Sequence, residues 1–138
     1  MNRKPNAWIQ KELNKAKESL DEGIHLYENG FESGGPIVRV YFGLFHAART
    51  AVGMSKPSIS GQHKNTKVEL SKFVVTDNDI PFSYNDLQLY ERLKKKRCEV
   101  EYENPNPNVT INMSKVIDKI KNIINKLEEY AKNYLFNN

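Results

Sequence analysis

The sequence contains a single cysteine, Cys98. One thiol can close neither an internal disulfide nor a cysteine-based zinc site, so a reducing compartment is the simple expectation. Glycine (7) and proline (6) are sparse in 138 residues, which favours helices. No apolar run reaches the roughly 18 residues that a membrane span requires. Met1-Asn2-Arg3-Lys4-Pro5 leads into a polar helical pattern rather than an apolar signal region, so a cytoplasmic location is expected. There is no glycine-rich phosphate loop, no His-Glu-x-x-His, no paired cysteine and no Gly-x-Ser-x-Gly. Neither a metal nor a cofactor is therefore expected. No histidine follows His63.

What is present reads as one helical domain over residues 1–138. Hydrophobic residues make up 38% and charged residues 28%, an ordinary globular balance, and the length suffices to bury a core. The formal charge of +4 is mildly basic; it permits attraction to nucleic acid without requiring it.

Periodicity predicts five helical segments. The first runs from Asn6 to Asn29, with Trp8, Leu13, Ala16, Leu20, Ile24 and Tyr27 on one stripe and Asn29-Gly30 as its stop. The second opens after Gly34-Gly35, with Pro36 in its first turn, and ends near Gly53. Apolar residues occupy most of its circumference, which predicts a central helix. A connector over residues 54–61 precedes a shorter helix from Gln62 to Val75. The fourth spans Ser83 to Tyr102, with Leu87, Tyr90, Leu93, Arg97 and Val100 roughly on one face, and stops before Pro105 and Pro107. The fifth runs from Asn112 to Leu135 with a seam of Val116, Ile120, Ile123, Leu127, Tyr130 and Tyr134. The expected fold is all-α: an antiparallel bundle of four main helices plus a short one.

Three blocks carry a family resemblance. The second segment reads Val38-Arg39-Val40-Tyr41-Phe42-Gly43-Leu44-Phe45-His46-Ala47-Ala48-Arg49-Thr50-Ala51-Val52. It resembles the signature of the HEPN family (higher eukaryotes and prokaryotes nucleotide-binding), with Phe42 where a second tyrosine is usual and Gly43 where alanine is usual. Gly61-Gln62-His63-Lys64, followed by Val68, Leu70 and Phe73, resembles the family's short third helix. The run from Leu93 to Tyr102 resembles its Arg-x-x-Ala-Asp-Tyr block, with Val100 for alanine and Glu101 for aspartate. The three blocks fall in the family's order between Val38 and Tyr102.

The resemblance implies a helical bundle, a homodimer, and one of two functions. Many HEPN domains resemble metal-independent ribonucleases, including toxins of toxin–antitoxin pairs, and carry an arginine followed four to six residues later by histidine. Others are non-catalytic partners of nucleotidyltransferase-like proteins. Metal-free RNA cleavage requires a base for the 2′-hydroxyl, which suits histidine, and a fork for the phosphorane charge, which suits arginine. Arg97 stands at the family position, but the matching histidine is missing. Tyr102 stands five residues on, about 140° away on a regular helix, and a phenol with a pKa of about 10 is a poor base near neutrality.

Arg97 and Tyr102 are thus the candidate catalytic pair. Arg92, Lys94, Lys95 and Lys96 are candidate phosphate contacts, with His46 as a further one and a surrogate base. The plain alternatives are an ion pair of Arg97 with Glu99 or Glu101, a solvated charge run, a helix-end role for Tyr102 and a hydrogen-bonded core role for His46. His63 is expected near a helix start and His25 at the surface; Arg39 and Arg49 bracket the aromatic block and add to a basic surface if they face solvent. Three functions remain open: an RNA-directed toxin or defence nuclease, a binding module for a nucleotidyltransferase-like antitoxin that modifies Tyr102, and a plain self-assembling bundle.

Overall fold

A computed structural model of the chain describes residues 4–30, 34–55, 79–100 and 111–136. These form α1 (Asn6–Glu28), α2 (Gly34–Ser55), α3 (Tyr84–Cys98) and α4 (Met113–Ala131), the last continued by a π-helical turn over Lys132–Phe136. Among the described residues there is no strand, and no helix is long and apolar enough to cross a membrane. The helix expected over Gln62–Val75, including His63, lies outside the described residues. So do Glu101, Tyr102 and the proline break.

Local chemistry sets the helix ends. Past α1, Gly30 takes a φ of 83°, the left-handed conformation that glycine adopts without a steric penalty. Ser83 and Asp86 cap α3 reciprocally: the Asp86 N–H donates to the Ser83 hydroxyl at 3.3 Å, and the Ser83 N–H donates to the Asp86 carboxylate at 2.9 Å. Asn112 caps α4 by accepting the Lys115 N–H at 3.1 Å.

Two boundaries differ from expectation. α2 begins at Gly34, two residues early, because Gly34 is buried against Val100, where a side chain would collide. The α geometry of α3 stops at Cys98 rather than running to Tyr102, and Glu99–Val100 continue as a wider π-helical turn. That turn coincides with the seating of Val100 on Gly34.

Pairwise contacts give the chain direction. Lys4 N–H donates to the Gly53 carbonyl at 2.7 Å, so the start of α1 lies by the end of α2. Tyr41, near the start of α2, packs against Tyr90 and Arg97 of α3. Lys17 of α1 pairs with Glu128 of α4, and the Asn6 amide reaches the Leu135 carbonyl at 3.3 Å. The order is therefore up–down–up–down, an antiparallel four-helix bundle, as expected. α2 touches each of the other three helices. It buries Ile37, Val40, Tyr41, Leu44, Phe45, Ala47, Ala48, Ala51 and Val52, which makes it the central helix.

The other stripes bury Ile9, Leu13, Ala16 and Leu20 of α1, Leu87, Tyr90 and Leu93 of α3, and Val116, Ile120, Ile123 and Leu127 of α4. Two expected stripe members do not join. Tyr27 is exposed in the last turn of α1. Tyr134 is exposed because the π-helical turn carries it off the seam, and it packs on Tyr130 instead.

α1 and α2 approach closely at two glycines. A Cβ on Gly43 would lie 3.3 Å from the Ala16 carbonyl oxygen and the Leu20 nitrogen. A Cβ on Gly23 would lie 2.7 Å from Val40 Cγ1 and 3.1 Å from the Val40 nitrogen. Helix propensity alone makes Gly→Ala favourable by about 1 kcal/mol. Here the neighbours include backbone atoms, which cannot yield without moving a helix. Gly23→Ala is therefore expected to destabilise the bundle by about 1–3 kcal/mol, read as a lower urea midpoint. A higher midpoint would show that the helices are free to part.

Candidate functional site

Between Val40 and Met54 only Phe42, His46 and Arg49 escape burial. Steps of four and three place them on one face of α2, where residues that far apart are neighbours. This stripe is the one part of the central helix that reaches solvent over that length.

His46, in the middle, is held from α1. Its Nδ1 lies 3.0 Å from Glu12 Oε2, and its ring is 18% exposed while the Glu12 side chain is 3% exposed. The other carboxylate oxygen faces Lys15 Nζ at 3.4 Å and Arg49 Nη1 at 3.8 Å. Burial pushes the Glu12 carboxyl pKa upward. The His46 hydrogen bond and the charges of Arg49 and Lys15 outweigh it, leaving the carboxyl below its usual value of 4.5. Glu12 is therefore ionised near neutral pH and can only accept hydrogen bonds.

Rings and cations alternate on either side. The Arg49 guanidinium lies over Trp8 at 5.5 Å and Phe45 at 5.7 Å, and Lys4 lies over the same Trp8 ring at 5.5 Å. At the other end, the Arg97 guanidinium of α3 lies over Phe42 at 5.1 Å and Tyr41 at 5.3 Å. Such contacts contribute about 0.5–2 kcal/mol each, more where water is excluded. Tyr41 stacks in turn on Tyr90, with ring centroids 5.8 Å apart. Burial raises the Tyr41 hydroxyl pKa, partly offset by the Tyr90 hydroxyl and the Arg97 charge. Burial and the neighbouring Tyr41 raise that of Tyr90. Both stay protonated near neutral pH, so neither acts as a base.

Arg97 thus stands against α2. Glu99 pairs with Lys96 at 3.3 Å, and Glu101 lies outside the described residues. The basic run of α3 does not form one surface. Arg97 shares the inward face of Leu93. Arg92, five residues earlier and so about 140° around the helix, lines a shallow cleft with Asn85, Asp86 and Lys119. Lys95 is exposed, and Lys94 and Lys96 are half-buried. Tyr102, the proposed partner of Arg97, lies outside the described residues.

Other side chains find local roles. Arg39 pairs with Glu22 at 3.4 Å, both well exposed. His25 is exposed, and the Asn29 side chain donates to its backbone carbonyl at 2.7 Å. Cys98 is half-buried and free. No group of three or more His, Cys, Asp or Glu among the described residues is arranged to hold a metal ion.

Sequence reasoning missed Glu12 and left open which way Arg49 faces. A usable signal existed: Glu12 precedes Leu13 and Ala16 within the apolar stripe of α1, on a helix packed antiparallel to one bearing His46 and Arg49. Only the tertiary register brings the three together.

Compared with protein-family models, curated proteins and solved structures, the chain gives no match.

Removing the Glu12 carboxylate leaves Arg49 and His46 partly desolvated without their counter-charge. Glu12→Ala is expected to cost about 3 kcal/mol in chemical denaturation. A carboxyl held below its unfolded-state value adds stability at pH above that value, and the contribution is lost as pH falls through the folded-state value. Wild-type stability should therefore drop more steeply than that of Glu12→Gln as pH is lowered through and below about 4.5. Parallel curves for the two proteins would contradict the charge assignment.

Proposed function

We propose that this chain is a HEPN-like, RNA-directed protein of a toxin–antitoxin or related defence system, and that the exposed stripe of α2 is its RNA-binding face. The observation that supports this reading is the clustering of Arg97, His46 and Arg49 with Phe42 and Trp8 along the solvent-reaching edge of an otherwise buried helix. Guanidinium groups pair with phosphate oxygens and offer planes on which unpaired bases stack, and single-stranded RNA is bound through that combination. Arg97 is the phosphate contact in this reading. Lys94 and Lys96, half-buried beside it on α3, add salt-sensitive attraction, and Arg92 stands apart from the site. A homodimer and a nucleotidyltransferase-like partner accompany the family resemblance and belong to the same proposal. Metal-independent RNA cleavage is its enzymatic form.

The reading is tested by fluorescence anisotropy with labelled single-stranded RNA of mixed sequence. Binding should weaken as salt rises. Arg97→Ala and Arg49→Ala should each weaken it by about tenfold, as expected for loss of a charge-assisted contact of roughly 1.5–3 kcal/mol. Arg92→Ala should change it least. Equal, small effects from all three variants would remove the stripe as the binding face.

A further inference from the structure

We infer that His46 is the general base of a metal-independent RNA-cleaving site and that Glu12 is its positioning residue, in place of the histidine missing after Arg97. The inference deepens the RNA-binding reading of the α2 stripe and rests on it.

The geometry fixes the tautomer. Glu12 is an ionised acceptor, so the ring atom facing it at 3.0 Å, Nδ1, must be the donor. Neutral His46 then carries its proton on Nδ1 and its free lone pair on Nε2, which makes no hydrogen bond among the described residues. A carboxylate that holds one ring nitrogen while the other is left to take a proton is the orienter–base arrangement of acid–base and nucleophilic catalysis. Glu12 is rigidly placed for this: it is buried and bonded to one member of the pair from a neighbouring helix. A charged carboxylate also stabilises the imidazolium that forms when the base works.

The surroundings suit a phosphodiester. His46 stands between two guanidinium groups. Arg49 lies one turn later on the same helix. Arg97 lies over Phe42, one turn earlier. The Phe45 ring bridges the two halves, with centroids 6.1 Å from Phe42 and 5.1 Å from His46. Glu12 from α1 faces His46, Lys15 from α1 and Arg49 from α2 stand on the other oxygen of the same carboxylate, and Arg97 of α3 lies over the Phe42 ring.

The step is a transesterification. Nε2 of His46 takes the proton of a ribose 2′-hydroxyl as that oxygen bonds to the adjacent phosphorus. The bond from phosphorus to the 5′-oxygen breaks, its electron pair stays on that oxygen, and the oxygen takes a proton from water. The resulting hydroxide removes the proton from the imidazolium and restores the base. Arg97 and Arg49 offset the charge that accumulates on the phosphorane oxygens. The products are a 2′,3′-cyclic phosphate and a 5′-hydroxyl, and no oxidant, metal or second substrate enters.

The test pairs cleavage of a labelled single-stranded RNA in EDTA with binding of the same sequence as uncleavable 2′-O-methyl RNA. His46→Ala should still bind the 2′-O-methyl strand measurably, cleave at least about 10²-fold more slowly at saturating RNA, and recover activity when imidazole is added. Glu12→Gln should slow cleavage by at least about tenfold, because an amide can hold the wrong tautomer. The loss should appear in kcat with KM for the RNA unchanged, a split that a purely structural role would not produce. Should His46→Ala fail to fold by circular dichroism, His46→Gln, which fills the same space, carries the comparison. Cleavage at wild-type rate by a folded His46 variant overturns the inference. Wild-type protein that binds 2′-O-methyl RNA but cleaves no RNA overturns it alone and leaves the binding reading intact. Absence of binding overturns both.

Discussion

A carboxylate taken out of water between two helices cannot remain charged unless other groups supply what the water did. Glu12 occupies that position, and its needs organise this end of the bundle. His46 gives it a hydrogen bond, Arg49 and Lys15 give it positive charge, and all three must stand where the α1–α2 register puts them. A slip of one residue along either helix would part the carboxylate from its partners. The close glycine approaches and the polar cluster therefore enforce the same register by different means. The first excludes other alignments by steric contact and the second by desolvation cost.

The exposed edge of α2 follows from this arrangement. A helix surrounded on three sides keeps one narrow strip toward solvent, and here that strip carries His46 and Arg49 because Glu12 requires both nearby. Arg97 arrives independently from α3 and settles on the faces of Phe42 and Tyr41. The positive charge at the surface is held by rings and by a buried carboxylate that is itself inaccessible. Among the described residues this edge presents His46 and Arg49 outward with Glu12 buried beneath them.

Much of the architecture was legible from spacing. The stripes of α1, α3 and α4 and the nearly continuous apolar surface of α2 follow from residue type at helical intervals. The caps at Ser83 and Asn112 follow from side-chain chemistry. The candidate site was legible only in part. Arg97 and His46 stood out as residue types, but the contact between Glu12 and His46 joins positions 34 residues apart and has no local signature. Charge counting along α3 misled for the opposite reason. It treats neighbours in sequence as neighbours in space, whereas the helix sends Arg92 and Arg97 to different sides. The placement of Tyr27 and Tyr134 failed where a helix ends or changes pitch, since periodicity carries no information about where it stops.

The π-helical turn at Glu99–Val100 has a further effect, best expressed as phase. In a regular α-helix, residues five apart point in diverging directions, and each added residue advances the azimuth by a fixed amount. A turn closed by an i→i+5 bond absorbs one residue without completing that advance. It acts as a one-residue delay line at the end of α3: everything before it keeps the phase set by the capping box at Ser83, and Val100 within it takes a different azimuth. The wide turn thus lets the two ends of one helix obey different packing constraints. Its first part is fixed by the core beneath Leu87, Tyr90 and Leu93, and its last by the contact of Val100 with Gly34.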